Sequence, residues 1–136
     1  MEVVIDANIF FRTLISAGNI LEIFFNNNLI LYAPYKLKEE FIKNKKEILE
    51  KSQLTEQEFS ELQFLLFDKI NFVKFDEYKE FLLKAEKLLD RHFKDEDFIA
   101  LCILKNCKFW TYENRIFEIG FGISTKEINE ELLADK

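Results

Sequence analysis

Apolar positions along the chain change period several times, and each change marks an element. Val3-Val4-Ile5 is a continuous apolar run that suits a strand buried on both faces, predicted over residues 2–5. Helical spacing follows over residues 8–16 and 19–27, broken at Gly18, which is expected as a helix C-cap. Asn26-Asn27-Asn28 stops the second helix, and residues 29–32 read as a second strand. Pro34 is expected to open a long helix over 35–50, with Leu37, Phe41, Ile48 and Leu49 on its apolar face. Thr55 with Glu58 forms a capping box that predicts a helix over 56–68. A third strand at 72–75 and a helix from Asp76 or Glu77 to Leu89 come next. A helix over 95–106, a strand over 108–111, a short helix from Glu113 and a last strand near Ile123 complete the prediction. Strands alternating with helices predict a parallel sheet covered on both faces, a helix-rich α/β sandwich.

Composition bounds this picture. A chain of 136 residues fits one domain over 1–136, and 49% apolar residues, sixteen of them Phe, allow a sizeable core without disulfides. Three Gly and one Pro leave little room for a linker. Cys102 and Cys107 match no zinc spacing and are expected to be reduced, as in a cytoplasmic protein. No signal-peptide pattern or membrane-length apolar run is seen, so no membrane partner is expected. The net charge of −6 argues against avid non-specific nucleic-acid binding but leaves room for a local basic rim.

The acids carry the chemistry. Asp6 ends the first predicted strand. Glu39 and Glu40 lie about one turn into the helix after Pro34. Asp95, Glu96 and Asp97 open the penultimate long helix, and Glu113 follows a strand end. In a parallel sheet, strand C-termini and helix N-termini share one edge, where ligands collect. Four distant segments can therefore deliver carboxylates to one place. Hard oxygen donors suit Mg²⁺ or Mn²⁺, which assist phosphodiester cleavage by polarising the phosphoryl oxygen and acidifying water. Each acid also has a plain alternative, because first-turn acids complement a helix dipole and helix faces are often solvated. Lys36, Lys38, Lys43, Lys45 and Lys46 give the Glu40 helix a basic side, a candidate for phosphate contacts. His92 reads as a surface loop residue and Trp110 as core.

The segments around Val3–Asn8, Ala33-Pro34 with Glu39-Glu40-Phe41, Asp95–Ile103 and Phe109–Glu113 resemble the PIN-domain family, in particular small prokaryotic VapC-like toxin ribonucleases. The resemblance implies a PIN-like three-layer α/β/α sandwich with a short, mostly parallel central sheet. It also implies a divalent-metal ribonuclease site. Carried over, the acids are Asp6, Glu40 (or Glu39), Asp95 (or Asp97) and Glu113, with Asp6, Glu40 and Asp95 as metal ligands. Asn8 and Thr111 fall on supporting positions. Glu113 stands where Asp is usual, and Arg115 replaces a further family acid, which implies three core acids with Glu113 peripheral. Arg115 is expected beside the cluster, pairing with a carboxylate or contacting phosphate. The resemblance further implies an RNA substrate, a homodimer and an antitoxin partner, with helices 19–27 and 56–68 supplying an apolar interface. Two alternatives stand beside it. One is a PIN-shaped binding module with a weakened site. The other is a haloacid-dehalogenase-like phosphatase, whose second Asp would fall on Asn8.

Overall fold

The computed structural model describes residues 1–16, 18–90 and 93–134. They form a five-stranded sheet in the order β3-β2-β1-β4-β5. The strands are β1 (Glu2–Ile5), β2 (Ile30–Pro34), β3 (Ile70–Val73), β4 (Lys108–Trp110) and β5 (Gly122–Ile123). Every neighbouring pair is parallel. β1 lies at the centre, with Val4 opposite Tyr32 of β2 on one side and Phe109 of β4 on the other. Val3, Val4 and Ile5 are fully buried, as an apolar run in a central parallel strand requires.

Helices cover both faces. One layer contains α1 (Ala7–Ile15), α3 (Lys36–Ser52) and α4 (Glu56–Lys69), which pack on one another; α2 (Asn19–Phe24) follows α1. The other contains α5 (Phe75–Tyr78), a 3-10 turn (Lys79–Phe81), α6 (Leu82–Leu89) and α7 (Glu96–Lys105). α7 lies across β1, β2 and β4 and buries five successive residues, Phe98 to Cys102, so it is apolar around its whole circumference there. α8 (Asn114–Glu118) joins β4 to β5, and α9 (Thr125–Ala134) follows. The result is a three-layer α/β/α sandwich whose buried apolar side chains form one cluster. No helix of the described residues is long and apolar enough to cross a membrane.

Three local expectations are corrected. Pro34 closes β2, paired with Val73, instead of opening a helix. Its missing N–H costs little at the end of the ladder, and α3 starts two residues later. Gly18 caps the start of α2 at φ 140°, a conformation open to glycine, while Ser16 closes α1. The helix predicted up to Leu89 is divided by the 3-10 turn Lys79–Phe81. α9 was not predicted at all. Its start is fixed by a reciprocal cap, Glu127 N–H to Ser124 Oγ and Ser124 N–H to Glu127 Oε1, each 3.1 Å. His92 lies outside the described residues.

Candidate active site

The C-terminal ends of β1 and β4 place two side chains face to face. Asp6 directly follows β1 and N-caps α1, its Oδ1 accepting from the Asn8 N–H at 3.2 Å. Thr111 directly follows β4 and donates its hydroxyl to Asp6 Oδ2 at 2.6 Å. The Thr111 oxygen in turn accepts the Glu113 N–H at 3.1 Å. Both Asp6 oxygens are thus fixed, one by the first turn of its own helix and the other by the residue after the neighbouring strand, and Asp6 is only 4% exposed.

Around Asp6 opens a cavity of about 630 Å³ lined by Asp6, Glu40, Asp95 and Glu113. Glu40 reaches it from α3 and is half-buried. Asp95 reaches it from the residue preceding α7, and Glu113 from the residue preceding α8. Four segments far apart in sequence therefore meet on one sheet edge. Asn8 also lines the cavity, but the contact it makes to Asp6 comes from its backbone N–H.

The cavity distinguishes the alternatives on α3 and α7. Glu39 is exposed and does not line it. Asp97 is turned into a separate network: its Oδ2 accepts the Tyr78 hydroxyl at 2.6 Å, and Lys36 stands 4.0 Å from its Oδ1. Burial, and then the hydrogen bond to the Asp97 carboxylate, push the Tyr78 hydroxyl pKa well up. Arg115 is a correction. It does not line the cavity and reaches Glu118 at 3.5 Å, one turn along α8.

Electrostatics in the cavity are unfavourable to the charged acids. Burial raises the Asp6 pKa, with repulsion from Glu113 adding to it; Thr111, Asn8 and Lys94 act in the opposite direction. Burial likewise raises Glu40, with Asp6 adding repulsion against the pull of nearby lysines. Asp95 is raised to about 7, first by burial and then by Glu113 and Asp6. Its Oδ2 is buried with no hydrogen-bond partner. An acid in that condition lacks a counter-cation. Lys94 supplies part of one, lying 3.5 Å from Glu113 Oε1.

Carboxylate oxygens, one of them orphaned and buried, are the donor set that a hard divalent ion takes. The residues fit such an ion chemically. As the side chains stand, no group of three or more Asp, Glu, His or Cys among the described residues is arranged to hold a metal. Carboxylates with no cation between them repel one another, and Asp6 and Glu113 are held by Thr111 and Lys94 instead.

A family model described as a PIN domain matches residues 4–133. The chain belongs to the PIN-domain family. Among curated proteins, none matches its sequence. PIN domains are as a family nucleases, generally metal-dependent. Membership sets aside the phosphatase alternative, which already lacked its second Asp at Asn8.

The PIN fold also brings to the cavity residues that sequence reasoning passed over: Arg12, Lys51, Lys94 and Tyr112. The lysines expected to form the basic side are in part occupied elsewhere. Lys36 donates to the Lys94 carbonyl at 2.6 Å, and Lys38 lies 4.3 Å from the centre of the Phe72 ring. Position offers one signal for the missed set. Lys94 and Tyr112 each directly precede an acid of the cluster, and Arg12 stands one turn after Asn8.

Proposed function

We propose that this PIN domain is a divalent-metal-dependent endoribonuclease, with Mg²⁺ or Mn²⁺ as its cofactor. The observation that carries the reading is the meeting of Asp6, Glu40, Asp95 and Glu113 around one cavity, at the sheet edge where PIN-family chemistry is expected. Asp6, Glu40 and Asp95 would hold the ion, and Glu113, half-buried and paired with Lys94, would act from the periphery. The chemistry such an ion supplies when bound is polarisation of the phosphoryl oxygen and acidification of water. Thr111 and the Asn8 N–H fix the Asp6 carboxylate, so that its oxygens are oriented before any ligand arrives. Burial of Asp6 and Asp95 removes competing water and strengthens every charge interaction within the cavity.

The resemblance to small toxin ribonucleases extends the reading to an antitoxin partner and a homodimer. Within the predicted interface, Phe25 is 37% exposed, and Phe64 and Leu65 of α4 are 68% and 53% exposed.

A binding module with a weakened site is the competing reading. It is favoured by the Lys94–Glu113 pair and by the absence, among the described residues, of acids already arranged for a metal. One experiment separates the two. Purified protein is incubated with single-stranded and structured RNA, with and without Mg²⁺ or Mn²⁺, beside Asp6→Asn. The nuclease reading predicts metal-dependent cleavage that falls on the order of 100-fold in the variant, roughly 3 kcal/mol of transition-state stabilisation. Equal cleavage by wild type and variant rejects the assignment.

A further inference from the structure

Among the described residues, three cationic side chains line the cavity, and two of them are already engaged by acids. Lys94 is paired with Glu113 at 3.5 Å and Lys51 with Glu47 at 2.8 Å. Arg12 has no carboxylate partner among the described residues, although it lines a cavity with five acidic residues. Its guanidinium instead lies 4.9 Å from the centre of the Tyr112 ring.

That ring is a fixed support. The Tyr112 hydroxyl and Thr125 Oγ1 share a hydrogen bond of 2.7 Å, and Thr125 Oγ1 also accepts the Trp110 indole N–H at 2.9 Å. Trp110 and Thr125 are both buried, so Tyr112 is tied to the end of β4 and the start of α9. Tyr112 itself is 45% exposed, with Thr111 and Glu113 of the acid cluster on either side in sequence. Arg12 is four residues beyond Asn8 on α1, so the two project from the same face of the helix. Stacking on an aromatic face leaves the edge of a guanidinium, with its N–H donors, available to another group. A planar fork of donors matches a phosphate oxygen pair far better than an ammonium does.

We propose that Arg12, braced on Tyr112, grips a phosphate of the RNA strand beside the one that is cut. This rests on the ribonuclease reading and adds to it the residue that positions the strand. Arg12 acts on the neighbouring phosphate and takes no part in bond breaking.

The test is binding of a fluorescently labelled single-stranded RNA, followed by anisotropy in Mg²⁺ across a salt series. The Asp6→Asn background keeps the RNA intact, and Asn preserves the helix cap. Adding Arg12→Ala should weaken binding about tenfold and lower the slope of log affinity against log salt by about 0.7, the loss of one single-strand phosphate contact. Arg12→Lys should retain the slope while losing affinity, because charge remains and the fork is gone. Tyr112→Leu should behave like Arg12→Lys. A background protein that binds RNA with affinity and slope unchanged by Arg12→Ala overturns the proposal and leaves the ribonuclease reading standing. A background protein that binds no RNA even at low salt overturns both.

Discussion

Asp95 bears the heaviest electrostatic load of any residue in the cluster. Its pKa rises from 3.8 to about 7 through burial and the neighbouring carboxylates. The folded chain then binds that proton more tightly than the unfolded chain does. By linkage, the folded state loses stability as pH rises from about 4 to 7, and stays at the lower level above that window. In metal-free protein, Asp95→Asn should therefore raise the melting temperature at pH 8 by roughly 3 °C or more, the effect of about 1 kcal/mol in a domain of this size. The gap should narrow as pH falls toward about 5. Melts recorded in chelator across this range check it, and a gap independent of pH contradicts it. Thr111 offers a second residue-scale test. Thr111→Val keeps the buried shape but leaves Asp6 Oδ2 without its 2.6 Å donor. Mn²⁺ affinity, measured by calorimetry, should fall by roughly 10- to 100-fold, as for other partners that orient a metal ligand.

Caps decide the elements. The spacing that predicts α4 from Thr55 and Glu58 recurs at Ser124 and Glu127, and both pairs form complete capping boxes in the structure. α9 is thus legible in four residues, yet its buried apolar positions, Ile128 and Leu132, are few enough to be missed on periodicity alone. Ser124→Ala should cost about 1 kcal/mol in a thermal or denaturant melt. Pro34 and Gly18 show the opposite case. A proline permits a helix start and also permits a strand end, and a glycine permits either cap. Which one occurs depends on the pairing with Val73 and on where α1 stops. Gly122 answers to packing in the same way, since a Cβ there would stand 2.6 Å from the Phe117 ring. Gly122→Ala should destabilise by roughly 1–3 kcal/mol in the same melts, through forced movement of that ring.

For the whole molecule, alternation of strands and helices was sufficient to indicate the layered parallel sheet, because each change of apolar period is local. The four acids were legible for a related reason: Asp6 and Glu113 follow strands, Asp95 precedes a helix, and a parallel sheet puts all such positions on one edge. The PIN-domain resemblance favours Glu40 over Glu39 because the apolar Phe41 follows it, and Glu40 is the one that lines the cavity. What could not be read was the set of cations. Lys94 reaches Glu113, and Arg12 and Lys51 reach the cavity, only through the tertiary fold, while Arg115, two residues after Glu113, turns to Glu118 along its own helix. Backbone period reports which face of an element is buried and does not report where a long charged side chain will end. The central claim is that the acids on this edge act together to capture a divalent ion. Calorimetric titration of Mn²⁺ into wild type, Asp6→Asn and Asp95→Asn tests it most directly. The account predicts saturable binding to the wild type at millimolar metal or below, and at least about tenfold weaker binding to each variant, since each loses a ligand charge. No binding to the wild type at millimolar Mn²⁺, or binding that both variants retain in full, would contradict it.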